Sequence, residues 1–171
     1  MVFNKDMTLK DIQDKPTIIA DGASSHIRKE LQYSQQVIFS EVDLDHAYKE
    51  LTISAVNGQA LKKNYLHIWP RNEFMLIALP NFDGSFTCTL FLAHKGENSF
   101  EHLTDEQSLM DFFQTNFPDA IPLMPTLVED FFANPTGNLG TIKCFPWNVG
   151  GKSLLIGDAA HAVVPFYGQG M

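Results

Sequence analysis

The pattern of hydrophobic and polar positions predicts a buried strand near each end of the chain. Short apolar runs occupy residues 17–20 and 154–156. The first run leads directly into Asp21-Gly22 and the second into Gly157-Asp158, each followed by small residues. Apolar runs of this length bounded by turn residues are typical of strands. We therefore expect two strands that each deliver an acidic side chain at the carboxyl end.

Four further apolar or alternating segments lie between these ends. They occupy residues 48–53, 65–69, 74–79 and 85–91, with turns at Asn57-Gly58 and at residues 80–84. The segment 74–79 is the most hydrophobic, which is typical of a central strand. We interpret the four segments as an antiparallel meander.

Helical periodicity appears in three places. Residues 23–31 follow the first Asp-Gly turn, and a helix from Pro125 to about Asn134 is predicted by apolar spacing. Thr104 and Gln107 form a capping-box pattern ahead of a third helix. Its apolar residues are Leu109, Met110, Phe112, Phe113 and Phe117. With a further extended segment at 142–145, the predicted class is a mixed fold, α+β or α/β.

Composition and charge narrow the classes of protein to which this chain can belong. The 171 residues suffice for one medium domain or two small ones, and a net charge of −8 without a basic cluster excludes typical nucleic-acid binders. No signal peptide or membrane-spanning run is evident, so we expect a cytoplasmic protein with no membrane segment in this chain. Cys88 and Cys144 lack metal-type spacing and are interpreted as buried thiols.

The carboxyl-terminal stretch has features of a ligand site. An acidic residue at a strand end, such as Asp158, can accept hydrogen bonds from a nucleotide's sugar. Gly168 and Gly170 would let the backbone at Gln169 lie flat against a planar ligand, and a helix opened by Gly170 and Met171 would favour an electron-rich ligand atom. The spacing alone is equally compatible with an ordinary turn and loop.

A second set of polar residues follows the first strand. Asp21, Gly22, Ser25 and Arg28 fit the pattern Asp-Gly-x-x-Ser-x-x-Arg. Asp21 can accept N–H groups of the turn, and Arg28 can reach back to Asp21 or to a phosphate. A helix cap with a surface arginine is the alternative interpretation.

Both sets of residues resemble one family. Gly-Asp-Ala-Ala-His-Ala at 157–162 and Pro-Phe-Tyr-Gly-Gln-Gly-Met at 165–171 resemble the second flavin-binding motif of the FAD-dependent aromatic hydroxylases. The Asp21 pattern resembles the Asp-Gly motif of the same family, in the family's order. Residues 65–72, 74–81 and 85–91 are similar to its kynurenine-hydroxylating members.

The resemblance implies a Rossmann-like FAD domain interrupted by an antiparallel substrate sheet with two helices. Residues 1–47 and 143–171 would form the partial FAD-binding domain, and residues 48–142 the substrate domain. The implied cofactor is FAD, with NADPH as co-substrate. The implied FAD-binding residues are Asp21, Gly22, Arg28, Gly157, Asp158, Gly168, Gln169, Gly170 and Met171.

The resemblance also implies a reaction. A flavin C4a-hydroperoxide would hydroxylate L-kynurenine to 3-hydroxykynurenine, which requires a wall that excludes water. Alternation places Met75, Ile77 and Leu79 on one face of a strand. The implied substrate-binding residues are Leu66, Met75, Ile77, Leu79, Phe91, Pro165, Phe166 and Gln169. For the aliphatic members of this set, plain core packing is an equal alternative.

Some family features have no match here. No Gly-x-Gly-x-x-Gly follows the first strand, and we expect no metal site and no catalytic role for His67 or His161. We therefore expect an internal fragment that is inactive alone, binds FAD weakly or not at all, and self-associates through exposed apolar surface. The alternatives are an FAD hydroxylase of another aromatic substrate, or a non-catalytic module that binds a small molecule or a partner.

Overall fold

The computed structural model describes residues 16–164, and the chain divides into two compact units. Unit 1 comprises Met1–Asp43 and Gly140–Met171, and unit 2 comprises Leu44–Leu139. The division into an FAD-binding and a substrate domain, with boundaries after residues 47 and 142, stays a prediction.

Residues 16–164 contain eight strands and four α-helices, which confirms the predicted mixed fold. In chain order the elements are β1 (Thr17–Ile19), α1 (His26–Tyr33), β2 (Ile38–Ile53), β3 (His67–Arg71), β4 (Phe74–Pro80), β5 (Phe86–Ala93), α2 (Glu106–Asn116), α3 (Leu127–Ala133), β6 (Thr136–Phe145), β7 (Asn148–Val149), β8 (Ser153–Leu155) and α4 (Asp158–His161). Two 3-10 helices, Asn57–Ala60 and Ile121–Leu123, complete the list.

Unit 1 contains a three-stranded sheet in the order β1-β8-β7. β1 and β8 are parallel, with Ile19 opposite Leu155, and β7 is antiparallel to β8. Ile19 and Leu155 are buried and pack with other apolar residues into one core: Val37, Cys144, Ala159 and Ala160. Both predicted terminal strands are confirmed.

Unit 2 contains the five-stranded sheet, in the order β3-β4-β5-β2-β6. The predicted meander is correct for β3, β4 and β5 but wrong for β2, which pairs with β5 instead of β3. After β2 the chain enters a 3-10 helix, where a Cβ on Gly58 would lie 2.6 Å from the Gly84 carbonyl. Because this helix packs against the β4–β5 turn, the chain does not return as a hairpin beside β2.

Two strands are longer than their patterns predict. β2 has 16 residues, but only residues 48–53 show the alternation that predicts a strand. The first half of β2 is mostly exposed, so its polar and mixed side chains do not alternate in this way. β3 continues through Pro70, where the predicted strand stops. Proline lacks an N–H, which is tolerated because β3 lies at the edge of its sheet.

The helices of unit 2 also begin differently from the prediction. The α2 capping box consists of Asp105 and Ser108, and not of Thr104 and Gln107: the Asp105 carboxylate accepts the Ser108 N–H at 2.8 Å. Asp105, the residue before the helix, has an extended backbone conformation, which places its carboxylate over the free N–H groups of the first turn. α3 begins at Leu127 and not at Pro125, because residues 121–127 form tight turns first.

The helices cover one face of the five-stranded sheet. Phe74, Leu76 and Ala78 of β4 point into this core with buried residues of α2 and α3, which include Leu109, Phe113, Leu127 and Phe131. The predicted alternation in β4 is therefore confirmed. Cys88 lies in the same core, and burial raises the pKa of its thiol to about 12. Both cysteines are buried and free, as predicted.

Within the described residues, no helix is both long enough and apolar enough to cross a membrane.

A close approach between β2 and β6 gives a test of unit 2. A Cβ on Gly137 would lie 2.3 Å from the Tyr48 ring, so we expect Gly137→Ala to destabilise the protein by about 1–3 kcal/mol through overpacking. Urea unfolding would measure the loss. Asn138→Ala, at the neighbouring exposed position, is the matched control. Equal stability of the two variants would show that the ring and the β6 backbone are not in tight contact.

Candidate functional site

The two acidic strand ends lie side by side in unit 1. β1 and β8 are adjacent and parallel, and the Ile156 N–H donates to the Ile19 carbonyl at 3.0 Å, which extends the pairing to the ends of both strands. Asp21-Gly22 and Gly157-Asp158 therefore leave the sheet at the same edge. In open α/β sheets this carboxyl edge is where ligands bind.

Both glycines at this edge have backbone conformations that other residues rarely adopt. Gly22 has φ +82° and Gly157 has φ +57°. A Cβ built on either glycine would meet nothing within 4 Å among the described residues. Glycine is therefore required here by the turn geometry and not by crowding, and the space beside both turns is open.

The Asp21 carboxylate is held by the turn that follows it. Burial raises the pKa of Asp21, but hydrogen bonds from the Ser25 hydroxyl and the Ile27 N–H outweigh it and hold the pKa below its usual value. The Ile27 N–H donates at 3.3 Å. Asp21 and Asp158 are both exposed, so two acidic side chains are available at this edge.

Arg28 is fully buried, which excludes the surface-arginine interpretation. Its Nη1 donates to the Ala159 carbonyl at 2.7 Å and its Nη2 to the Ala23 carbonyl at 2.5 Å. The Phe39 ring lies 4.8 Å from its guanidinium carbon. Among the described residues, the guanidinium bonds to main-chain carbonyls of both strand-end motifs and not to Asp21. No sequence pattern pointed to these partners, because main-chain carbonyls carry no residue-type signal and Ala159 lies 131 positions from Arg28.

In unit 2, the predicted wall residues of β4 and β5 share the sheet face opposite the helices. Met75 lies beside Phe91, Ile77 beside Thr89 and Leu79 beside Thr87. Leu66 directly precedes β3. Ile77 and Phe91 are 1% and 3% exposed, yet neither belongs to the helix-covered core.

Alternation in β5 already placed Thr87 and Thr89 on the face of Phe91, but the contribution of β2 to this face was not predicted. Register places Tyr48 opposite Phe91 and Glu50 opposite Thr89, so the face changes from apolar on β4 to hydroxyl and carboxylate groups on β5 and β2. Alternation within each segment predicts which residues share a face. The β2–β5 pairing, which joins the segments, has no such local signal.

The remaining predicted site residues lie outside the described part of the chain. These are Pro165, Phe166, Gly168, Gln169, Gly170 and Met171.

His67 and His161 each contact another residue of the fold. His67 is hydrogen-bonded to the Lys62 carbonyl at 3.0 Å, and the His161 ring lies 5.0 Å from Trp147. Across residues 16–164, no three His, Cys, Asp or Glu side chains are grouped as metal ligands would be.

Comparison with known proteins identifies the family. The sequence pattern of the family described as "FAD binding domain" matches residues 4–171. The chain belongs to this family of FAD-binding domains.

Several relatives of this FAD-binding domain share one name. Kynurenine 3-monooxygenase of Flavobacterium johnsoniae is 58% identical over 154 residues, which cover 89% of this chain and 34% of the relative. The proteins of the same name from Legionella pneumophila and Dictyostelium discoideum are 51% and 49% identical. The chain thus spans about a third of the length of these curated relatives.

Solved structures share the fold at lower identity. The tetrameric form of 2-methyl-3-hydroxypyridine-5-carboxylic acid oxygenase has a TM-score of 0.68 and 19% identity, covering 91% of this chain and 40% of that one. Klebsiella pneumoniae HpxO complexed with FAD and uric acid has the same TM-score and identity, covering 91% and 38%. Both support the same arrangement of sheets and helices.

The hydrogen bonds to Asp21 give a pH-dependent prediction. Because the folded-state pKa is lowered, Asp21 contributes stability above its unfolded pKa of about 3.9, and this contribution is lost as pH falls through the folded value. We expect Asp21→Asn to lose less unfolding free energy than the unsubstituted protein when pH is lowered from 5 to 2. Denaturant unfolding at each pH would measure it. Glu41→Gln, at an exposed strand position, is the control, and an unchanged pH slope for Asp21→Asn would contradict the assignment.

Proposed function

We propose that this chain supplies the dinucleotide-binding edge and the substrate-facing sheet of a flavin-dependent monooxygenase. Its reaction would be hydroxylation of L-kynurenine to 3-hydroxykynurenine, with NADPH as the reductant. The observation that carries the proposal is the parallel pairing of β1 and β8, which sets Asp21-Gly22 beside Gly157-Asp158. The name shared by relatives at 49–58% identity supports the substrate.

The residues at this edge fit FAD. Exposed carboxylates at strand ends are suitable acceptors for ribose hydroxyls, and the open space beside Gly22 and Gly157 admits a ligand close to the backbone. We assign to Asp158 the hydrogen bonds with the cofactor's polar groups. We assign to Asp21 the stabilisation of the turn that follows β1. When bound, the flavin supplies the oxygen chemistry, for which no side chain is suited.

The apolar half of the sheet face opposite the helices fits an aromatic substrate. Met75 and Leu79 are partly exposed and lie in one row with the buried Ile77, and Phe91 adds a ring beside Met75. Such a surface holds an aromatic ring and excludes water from it, which protects a reactive oxygen species from breakdown. The protein's part in hydroxylation is therefore positioning and dryness, without a protein nucleophile.

Two further expectations stay predictions. Self-association is suggested by exposed apolar side chains such as Phe82 and Val56, and one structural neighbour is described as tetrameric. A cytoplasmic location agrees with two free thiols in the chain.

The cofactor assignment is tested in the full-length protein that contains this chain. We expect that protein to purify with a flavin absorbance band, and Asp158→Ala to weaken FAD binding roughly 10- to 100-fold, since a charge-assisted hydrogen bond contributes about 1.5–3 kcal/mol. Quenching of FAD fluorescence in titrations measures the affinity. Glu41→Ala removes an exposed carboxylate elsewhere in unit 1 and should bind FAD normally. A colourless protein with no FAD affinity would refute the assignment.

The substrate assignment is tested on the same protein. Met75→Ala should raise the KM for L-kynurenine about 10-fold or more, because burying a methionine side chain contributes about 1.5–3 kcal/mol. The control is Phe82→Ala, at the fully exposed β4–β5 turn, which should leave KM unchanged. FAD-dependent hydroxylation of a different aromatic compound, with none of kynurenine, would favour the alternative hydroxylase.

A further inference from the structure

The sheet face opposite the helices carries one carboxylate on the paired stretches of β2, β4 and β5. Ile77 of β4, Thr89 of β5 and Glu50 of β2 lie in one line across these three strands. The other positions of this face on the same stretches carry apolar groups, hydroxyls or the His46 imidazole. Glu50 is therefore the negative charge that lies next to the apolar half of the face.

The Glu50 carboxylate has no cation of its own fold beside it. The side chain is exposed, and among the residues that the structure describes it forms no ion pair and its carboxylate accepts no hydrogen bond. Carboxylates form their strongest hydrogen bonds with cationic donors. A carboxylate without such a donor is available to a cation that a ligand brings to the face.

The backbone at Glu50 is fixed to the end of α3. The Asn134 side-chain amide donates to the Glu50 carbonyl at 2.8 Å, and Lys49 Nζ donates to the Asn134 carbonyl at 2.8 Å. Lys49 is buried on the helix-covered side of β2, with its Nζ 4.9 Å from the centre of the Phe131 ring. Because these contacts hold β2 from behind, the Glu50 carboxylate projects from a rigid part of the sheet.

The spacing of this line matches an aromatic amino acid. Neighbouring strands lie about 4.8 Å apart, so β4 and β2 are separated by about 9.6 Å with β5 between them. The α-ammonium of L-kynurenine is four bonds from its ring, which is an extended reach of roughly 5 Å. A ring held on β4 and β5 therefore brings its ammonium group over β2, where Glu50 lies.

We propose that Glu50 is a specificity-determining residue of the substrate site, where its carboxylate forms an ion pair with the α-ammonium of the aromatic amino acid. This inference rests on the proposed function and narrows its substrate class to aromatic compounds that carry a cationic amine on a short side chain. The contact lies at the non-reacting end of the substrate, so it strengthens binding without changing the chemical step.

The test uses Glu50→Gln in the full-length protein that contains this chain. Glutamine keeps the size of the side chain and the backbone contacts but removes the charge. We expect the KM for L-kynurenine to rise about tenfold, with kcat changed less than twofold. Glu129→Gln removes an exposed carboxylate from α3, which covers the opposite face of the sheet, and should leave both values unchanged.

A matched ligand separates recognition of the ammonium from a change in the shape of the face. The des-amino analogue of L-kynurenine has hydrogen in place of the α-ammonium, and its Kd is measured from the absorbance change of the bound flavin. We expect this Kd to differ less than twofold between the unsubstituted protein and Glu50→Gln. An equal loss of affinity for both compounds would overturn the proposal, as would an unchanged KM for L-kynurenine or a tenfold fall in kcat.

Glu50→Lys gives an independent measurement if Glu50→Gln does not fold. It reverses the charge, so L-kynurenine should bind more weakly than to the unsubstituted protein, while the anionic des-amino analogue should bind at least as tightly. An unchanged ratio of the two affinities would overturn the proposal. An unsubstituted protein that neither binds nor hydroxylates L-kynurenine would refute the proposed function itself, whereas normal L-kynurenine kinetics in Glu50→Gln would refute only the role of Glu50.

Discussion

The pairing of β1 with β8 is the constraint on which the candidate site depends. These strands have three residues each and come from opposite ends of the described chain, so few hydrogen bonds join them. Burial of Ile19 and Leu155 in the unit 1 core adds the apolar contribution that such a short parallel pair lacks on its own. If this pairing were lost, the sheet would no longer hold the two acidic turns side by side, and the buried Arg28 would lose one of its carbonyl acceptors.

The two faces of the five-stranded sheet in unit 2 have different surroundings. One face is filled by the helices and by a dense set of phenylalanine rings, for example Phe112 and Phe117 at 6.0 Å between centroids. The opposite face carries the residues that we propose contact the substrate. That face changes from aliphatic groups on β4 to Thr89 and Glu50 on β5 and β2.

Local patterns predicted the elements of this fold better than their connections. The terminal strands, the β4 alternation and the buried thiols follow from residues close in sequence, and the structure has them. The β2–β5 pairing, the Asp105 cap and the Phe39–Arg28 contact depend on choices between near-equivalent partners, which the sequence pattern leaves open. The motif residues of the site were visible because acidic and glycine residues directly follow apolar runs. The acceptors of Arg28 are backbone carbonyls, which carry no residue-type signal.

The proline in β3 limits how strands of other molecules can add to the edge of this sheet. β3 forms an outer edge of the five-stranded sheet, and an outer strand with a complete row of free N–H groups can recruit a strand from another chain. Pro70, the fourth of the five residues of β3, interrupts that row. A missing donor in this row opposes continuous growth of the sheet across this border, and so opposes fibril-like polymerisation of a chain rich in β-structure.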